Sequence, residues 1–258
     1  MGYVCRPAAL GLLPPRLAAA LAAGAALLAP GLAADAADPD ARPAATPIAL
    51  PPPGGEAWQP LTFRGVKRPT LYTPLSGKDA GARAEARCGA SALVLPLEAV
   101  DLARTPILHW RWRIVVPLDV SDERVREGDD FAARVTVMFE FEPGEASLYD
   151  RMRRALAARL FGAQIPGTAL TFVWTSRIPP GSLWPNPYAQ ESRMISLAQG
   201  PGDGWQSESV DLHAFYLRAF DRVPPTARGI GIMTDADDTC RHAVAEYKDF
   251  RLAPAEAA

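Results

Sequence analysis

An acidic segment near the end of the sequence carries side chains that could bind a metal ion. Residues 234–239 read TDADDT and contain Asp235, Asp237 and Asp238. Carboxylate oxygens are preferred ligands of Ca²⁺, but the glycine and the distal glutamate of an EF-hand loop are missing here. Aspartates also shape turns by accepting hydrogen bonds from their own backbone. The segment therefore predicts either an aspartate-rich turn or a structural Ca²⁺ site, and the sequence indicates no other cofactor.

Arginines recur on the polar side of segments in which apolar and polar residues alternate. Four such segments could share one sheet: residues 107–116, 131–141, 169–177 and 193–198. The outer face of that sheet would then gather five arginines: Arg111, Arg113, Arg134, Arg177 and Arg193. Guanidinium groups bind carboxylates, sulfates and phosphates through paired hydrogen bonds. Because Asp129 and Asp130 precede the second segment, this face is either paired internally with acids or forms a groove for a sugar or an anionic ligand.

A proline-rich segment between two of these strands carries aromatic and amide side chains. Residues 181–193 read GSLWPNPYAQESR and contain Trp184, Asn186 and Tyr188. Exposed aromatic rings can stack on a sugar while an amide bonds its hydroxyls. The same side chains could instead close the end of the fold, so both interpretations stay open.

Motifs of the common catalytic classes are missing from the sequence. His109, His213 and His242 have no metal-ligand spacing, and there is no nucleophile elbow, phosphate-binding glycine loop or C-x-x-C pair. Glu140 and Glu142 lie two apart on one predicted strand, as carboxylates of a glycosidase could, but such pairs are common on solvated strands. The sequence therefore favours a non-catalytic protein without excluding a hydrolase or lyase.

The N-terminal segment has the pattern of a secretory signal peptide. Arg6 and Arg16 precede an apolar run at residues 17–29, and residues 34–36 read ADA, which fits an A-x-A cleavage site. The run is shorter than the roughly 20 residues that span a bilayer. We therefore expect residues 1–36 to be removed, no membrane span to remain, and the protein to reside in the periplasm or beyond.

Removal of that segment leaves two of the three cysteines, Cys88 and Cys240. An even pair in an exported protein predicts a disulfide, with two unpaired thiols as the alternative.

The composition fits one folded domain after a linker. Residues 37–56 are rich in alanine and proline and are predicted to be an extended linker. Residues 57–253 form the predicted domain and residues 254–258 a disordered tail. The hydrophobic content of 48% supplies a core, and a formal charge of −2 excludes a general nucleic-acid binder.

The sequence pattern of the domain predicts a series of strands and two helices. The predicted strands are residues 82–88, 92–96, 107–116, 131–141, 169–177, 193–198, 204–211, 229–234 and 243–252. Strict alternation, as in residues 107–116, is typical of antiparallel sheets with one buried face. One helix is predicted from Ser147 to Phe161, with a basic face, and another from the cap Asp211 to Asp221.

Several motifs in order resemble an exported bacterial family known as domain of unknown function 3047. They are TPILHWRWRI, GDDFAARVTVMFEF, RLFG followed by PGTALTFVWTSR, PNPYAQESRMI, and GIGIMTDADDT with AEYKDFRL. The resemblance covers roughly residues 58–252 and implies no established activity. Cys240 stands where the family pattern would have a small residue, so the family does not imply the disulfide. The closing segments, with Asp249 in the last strand, are also similar to carbohydrate-binding jelly rolls.

Together these features predict an all-β antiparallel sandwich of the jelly-roll type, like galactose-binding and carbohydrate-binding modules, with one or two short covering helices. The leading hypothesis is a non-catalytic binding domain for a carbohydrate or other polar envelope ligand. A polysaccharide hydrolase or lyase would use Asp129, Asp130 or Glu140. An envelope scaffold would bind a protein through the basic helix that contains Arg151, Arg153 and Arg154.

Overall fold

The computed structural model describes residues 45–140 and 166–255. The strands are β1 (Ile48–Ala49), β2 (Gln59–Thr62), β3 (Leu71–Leu75), β4 (Gly81–Arg87), β5 (Ala90–Val100), β6 (Ile107–Val116), β7 (Ala133–Glu140), β8 (Pro166–Thr175), β9 (Leu183–Pro185), β10 (Ser192–Gln199), β11 (Gln206–Asp211), β12 (Ala227–Asp235) and β13 (His242–Ala253). One α-helix, α1 (Leu212–Phe220), and two single 3₁₀ turns, Gly77–Asp79 and Arg126–Gly128, complete the elements of this part of the chain.

The strands form two sheets. The six-stranded sheet has the order β11-β6-β13-β4-β3, with β1 paired to β13, and the seven-stranded sheet has the order β2-β5-β12-β7-β8-β10-β9. All described pairs are antiparallel except β8 with β10, which is parallel. The predicted all-β, mainly antiparallel sandwich is confirmed.

The core lies between the inner faces of the two sheets. On β6, Trp110 and Trp112 are at most 1% exposed, as the alternation in that segment predicts. The ring centroids of Trp110 and Phe172 lie 5.7 Å apart, as do those of Trp112 and Trp174. These contacts cross from the six-stranded sheet to the seven-stranded one, so aromatic packing joins the two layers.

The prediction that four arginine-bearing segments share one sheet is wrong for β6. Strands β7, β8 and β10 are neighbours in the seven-stranded sheet, whereas β6 pairs with β11 and β13 in the other. Alternation shows that one face of a strand is buried, but both sheets of a sandwich present the same pattern to the core. Arg111 and Arg113 on the outer face of β6 therefore lie on the opposite side of the sandwich from Arg134 on β7.

Helix α1 follows β11 as predicted. The Asp211 carboxylate accepts a hydrogen bond of 2.9 Å from the backbone N–H of Ala214, and Leu212 and Tyr216 are buried. The helix ends at Phe220, where Asp221 adopts the left-handed conformation with φ of 55°. No helix within residues 45–140 and 166–255 is long and apolar enough to cross a bilayer.

Several predicted features lie outside the described residues. They are the signal peptide at residues 1–36, the first part of the linker, the helix at residues 147–161 with its arginines, and the last residues of the tail. The second part of the predicted linker is described, and its residues 48–49 pair with β13.

The disulfide predicted between Cys88 and Cys240 is present. It joins the end of β4 to the loop that connects β12 with β13. The backbone N–H of Cys88 also donates a 2.9 Å hydrogen bond to the carbonyl of Arg241. The disulfide thus fastens the β12–β13 loop to the six-stranded sheet.

Candidate ligand-binding site

An open cavity of about 470 Å³ lies on the outer face of the seven-stranded sheet. Strands β5, β12, β7, β8 and β10 form its floor. The segment after β2 forms one wall, the loop between β9 and β10 forms another, and the β12–β13 loop closes one end. The lining residues that matter for its chemistry are Phe63, Ala90, Ala92, Asp129, Arg134, Thr136, Met138, Thr171, Asn186, Tyr188, Ser192, Gly231, Asp235, Asp237 and Asp238.

The floor is open because the outward residues at its centre are small. Ala90 and Ala92 on β5 and Gly231 on β12 line the cavity. A Cβ atom added to Gly231 would meet its nearest heavy atoms at 3.7–3.9 Å, which is ordinary van der Waals contact, so a methyl group fits there without a clash. Where larger side chains would fill the face, alanine and glycine leave room for a ligand.

Hydroxyl groups continue the floor across β7, β8 and β10. The Oγ1 atoms of Thr136 and Thr171 lie 3.1 Å apart, and Thr171 Oγ1 lies 3.3 Å from the Oγ of Ser192. Rotating hydroxyls can donate or accept. This row can therefore bind a polar group of a ligand without carrying charge.

Arg134 crosses the acidic end of the cavity as a buried ion-pair partner. Its Nε donates a 2.8 Å hydrogen bond to Asp235 Oδ1, and its Nη2 contacts Asp235 Oδ2 and the backbone carbonyl of Asp129. Its Nη1 lies 3.4 Å from Asp129 Oδ2. The guanidinium, 5% exposed, also lies 4.5 Å from the ring centroid of Phe131. The predicted internal pairing with acids therefore describes Arg134.

Burial and charge act against each other on these groups. Burial alone lowers the pKa of Arg134, but the carboxylates of Asp129 and Asp235 outweigh it and raise that pKa. Burial raises the pKa of Asp129 to about 6, because the opposing attraction of Arg134 is smaller than the desolvation penalty. Burial and neighbouring carboxylates also raise the pKa of Asp237. The end of the cavity is thus crowded with negative groups.

Three carboxylates meet beside the cavity. One oxygen each from Asp130, Asp237 and Asp238 lies within 4.8 Å of the others. Asp130 Oδ1 accepts a 3.2 Å hydrogen bond from the Asp238 N–H, and Oδ2 accepts one of 2.6 Å from the Thr239 N–H. The structure does not bring Asp235 into this group, because its carboxylate pairs with Arg134. The sequence proposed Asp235 as the third member, and Asp130 occupies that place.

The loop between β9 and β10 carries Tyr188 to the same end. The Tyr188 hydroxyl donates a 2.6 Å hydrogen bond to Asp238 Oδ1, and the Arg126 guanidinium lies 5.0 Å from the ring centroid. Asn186 Oδ1 accepts hydrogen bonds from the backbone N–H groups of Tyr188 and Ala189, at 2.8 and 3.0 Å. Tyr188 is 50% exposed. Asn186 therefore shapes the loop, and Tyr188 presents a ring at the mouth of the cavity.

Two of the other predicted site residues are placed away from the cavity. Trp184 lies on β9, is 7% exposed and belongs to a small apolar cluster with Phe131 and Met194, so its indole is not an exposed platform. Arg193 lies beside Leu170 in the β8–β10 register, on the inner side of β10, and its guanidinium is 5.0 Å from the Phe220 ring centroid.

The arginines of β6 lie on the outer face of the six-stranded sheet. Arg113 Nη2 is 2.6 Å from Glu246 Oε2, and Arg111 Nη1 is 3.8 Å from Asp249 Oδ2. Both guanidiniums lie near the ring of Trp205, at 4.8 Å for Arg113 and 5.8 Å for Arg111. The expectation that Arg111 and Arg113 share a groove with Arg134 is therefore wrong.

The sequence analysis missed the apolar part of the site. Ala90, Ala92, Gly231 and Met138 line the cavity but carry no chemical motif. The available pattern was the recurrence of small residues at outward positions of two strands, 90–92 and 231. It becomes meaningful only when β5 and β12 are known to be neighbours.

These features define an all-β sandwich with a ligand-sized cavity on one outer face. The chain belongs to the family described as "Protein of unknown function (DUF3047)", whose model matches residues 56–251. This confirms the resemblance seen in the sequence. No curated protein matches the chain.

The chain shows weak structural similarity to solved carbohydrate-binding modules and to an adhesin domain. A family 11 carbohydrate-binding module from Clostridium thermocellum, in complex with a β-1,3-1,4-mixed-linked tetrasaccharide, is 12% identical with a TM-score of 0.40, covering 82% of this chain and 98% of that chain. A family 30 carbohydrate-binding module of a Clostridium thermocellum cellulosomal cellulase is 7% identical with a TM-score of 0.41, covering 83% and 100%. An adhesin domain of Lys-gingipain from Porphyromonas gingivalis is 8% identical with a TM-score of 0.35, covering 81% and 99%. Similarity at this level does not identify the ligand of the cavity.

Proposed function

We propose that this protein is an exported, non-catalytic binding module that binds a saccharide in the cavity of the seven-stranded sheet. The observation that carries the proposal is the composition of that cavity. Ala90, Ala92 and Gly231 form a flat apolar floor, and hydroxyl, amide and carboxylate groups surround it. Ligand sites are commonly of this kind, mostly apolar with a few convergent polar groups.

A sugar ring matches both parts of this surface. Its C–H faces are apolar and can lie on the floor, while its hydroxyls point outward from the ring edge. Carboxylate oxygens such as those of Asp237 and Asp238 accept hydrogen bonds from hydroxyls, and Thr136 can both donate and accept. Tyr188 adds an exposed aromatic ring at the mouth. The volume of about 470 Å³ lies within the usual range of small-ligand sites, roughly 300–1,000 Å³.

The charges at the acidic end of the cavity favour a neutral saccharide over an anionic one. The second arginine of the lining, Arg64, is exposed on the wall formed by the segment after β2. The donors of Arg134 are already directed at Asp235 and Asp129, so this arginine has little capacity left for a ligand anion. Asp237 and Asp238 add further negative charge at the same end. A sulfate, phosphate or carboxylate on the ligand would therefore meet repulsion there.

A glycine-to-valine change tests the proposal directly. Gly231→Val places a branched side chain on the cavity floor, at a strand position where an added Cβ atom would make only ordinary van der Waals contacts. We expect the variant to fold and to lose saccharide binding by at least about tenfold. The measurement is thermal unfolding and calorimetric titration with a panel of neutral and anionic oligosaccharides. A ligand at about 100 times its dissociation constant stabilises the fold by roughly 2.7 kcal/mol.

Arg111→Ala is the matched control, since Arg111 lies on the other sheet with a half-exposed ion pair to Asp249. It should bind every saccharide as the unaltered protein does. Equal affinity in Gly231→Val and the unaltered protein would contradict a site on the seven-stranded sheet. Release of new reducing ends from a bound oligosaccharide would contradict the non-catalytic part of the proposal.

A further inference from the structure

The carboxylates of Asp130, Asp237 and Asp238 converge without a cationic partner. Their oxygens lie within 4.8 Å of one another. No lysine, arginine or histidine within residues 45–140 and 166–255 forms an ion pair with them, and the guanidinium of Arg134 contacts Asp129 and Asp235 instead. Three like charges at this separation repel one another. The charge of Arg134 attracts Asp237 and Asp238 without forming an ion pair with them, so a further positive group would stabilise the cluster.

Hydrogen bonds fix these carboxylates in place. Asp130 accepts from the backbone N–H groups of Asp238 and Thr239, and Asp238 accepts from the Tyr188 hydroxyl. The bonds join the start of β7, the β12–β13 loop and the β9–β10 loop. The three side chains are thus ordered before any ligand arrives, because elements far apart in sequence determine their positions.

A fourth carboxylate at the same cavity end has a buried oxygen with no partner. Asp129 is 4% exposed, and its Oδ1 has no hydrogen-bond partner in the described part of the chain. Asp129 lines the cavity together with Asp237 and Asp238. Buried polar atoms are seldom left unpaired, and an unpaired one in a native fold commonly indicates an ion or an ordered water.

We infer that Asp130, Asp237 and Asp238 bind one Ca²⁺ ion. Oxygen ligands of Ca²⁺ lie at about 2.3–2.6 Å, so two of them can be up to about 5 Å apart. The three oxygens lie within 4.8 Å of one another, so they are close together at one place in the fold. Mg²⁺ demands near-octahedral geometry and usually keeps several waters, so it suits a site made of protein carboxylates less well than Ca²⁺ does. Asp129 lines the same cavity but does not belong to the group of oxygens within 4.8 Å of one another, so its unpaired oxygen would reach the ion through a water molecule.

This inference does not depend on the saccharide proposal, although Asp237 and Asp238 also line the cavity. The bound ion would be a hard divalent cation held by carboxylates. It would reduce the negative charge of the acidic end without cancelling it, and it would fix Tyr188, through Asp238, at the cavity mouth.

Calcium titration of the metal-free protein tests the inference. After dialysis against EDTA, we expect one Ca²⁺ to bind per chain in a calorimetric titration and the unfolding temperature to rise with Ca²⁺. Mg²⁺ should bind at least about tenfold more weakly, because it demands near-octahedral geometry and gives up its water reluctantly. Tb³⁺ in place of Ca²⁺ should show luminescence sensitised by tyrosine excitation, since Tyr188 contacts Asp238.

The variants Asp237→Asn and Asp238→Asn should each weaken Ca²⁺ binding by at least about tenfold, because affinity follows the number of charged ligands. Asp203→Asn is the matched control, since Asp203 is exposed and belongs to neither the cluster nor the cavity lining. It should bind Ca²⁺ like the unaltered protein.

Three results would overturn the inference. One is the absence of saturable Ca²⁺ binding by the folded, metal-free protein. Another is unchanged Ca²⁺ affinity in a folded Asp237→Asn/Asp238→Asn double variant. The third is stabilisation by glucosamine with none by Ca²⁺, which would assign the acidic end to an organic ammonium group.

Discussion

Arg134 is the charged group on which the acidic end of the cavity depends. It is 5% exposed and its donors reach both Asp235 and Asp129. Buried charges are tolerated only when they are paired and hydrogen-bonded. Pairing of this arginine with the nearby Asp129 could be anticipated from the sequence, but pairing with Asp235 could not, because Asp235 lies 101 positions away along the chain. Its role is to hold two aspartates in the fold.

Arg134→Met tests that role at the scale of the single residue. The change removes the charge but keeps an apolar stem, leaving Asp235 and Asp129 buried without a counter-ion. We expect the free energy of unfolding to fall by about 3–5 kcal/mol, the usual cost of removing one partner from a buried ion pair. Urea denaturation at pH 7 measures it. Arg111→Met, at an exposed pair, should cost about 0–1 kcal/mol, and equal losses in the two variants would contradict a structural role for Arg134.

Strand positions follow from local sequence, whereas sheet membership does not. Residues 107–116 were predicted as a strand and form β6 with the same bounds, because a period of two depends only on neighbouring side chains. Which sheet β6 joins depends on pairing with β13, more than a hundred residues later. The short strands β2, β3 and β9 were not predicted, because they too depend on pairing with other strands rather than on a local pattern. In β3 the sequence also contains Pro74, which is tolerated because β3 is an edge strand.

Helix α1 shows the opposite case, since its cap is encoded locally. The Asp211 carboxylate accepts from the Ala214 N–H at 2.9 Å, and this contact satisfies one of the free donors of the first turn. Asp211→Ala should lower the free energy of unfolding by about 1 kcal/mol, and Asp211→Ser should recover most of that loss. Urea denaturation of the two variants measures both. A loss in Asp211→Ser as large as in Asp211→Ala would show that the cap hydrogen bond is not the source.

The cavity and the acidic cluster belong to the whole molecule. Ala92 and Gly231 share the cavity floor because β5 and β12 pair across more than a hundred residues. Asp130 meets Asp237 and Asp238 because the β12–β13 loop folds back over the start of β7. The class of fold and the acidic character of the β12–β13 loop could be predicted from the sequence. The assembled site could not, because each part comes from a different, distant element.

The disulfide connects this assembly to the rest of the fold. Cys240 lies in the same loop as Asp237 and Asp238, and its bond to Cys88 spans 152 positions of sequence. In the chain-entropy account a crosslink of that length restricts the unfolded chain strongly, and loss of a native disulfide typically costs about 2–5 kcal/mol. The loop is also anchored by the Asp130 bonds, so the fold should survive without the crosslink.

We therefore expect the Cys88→Ser/Cys240→Ser variant to remain folded and to unfold at lower urea, with about 2–5 kcal/mol less free energy of unfolding. Its Ca²⁺ affinity should also fall, because the loop that carries Asp237 and Asp238 loses its covalent attachment to the end of β4. The unaltered protein treated with dithiothreitol serves as the matched comparison and should behave in the same way. A variant with unchanged stability would mean that the crosslink does not restrict the unfolded chain. Unchanged Ca²⁺ affinity in a destabilised variant would mean that the hydrogen bonds of the loop are enough to order it.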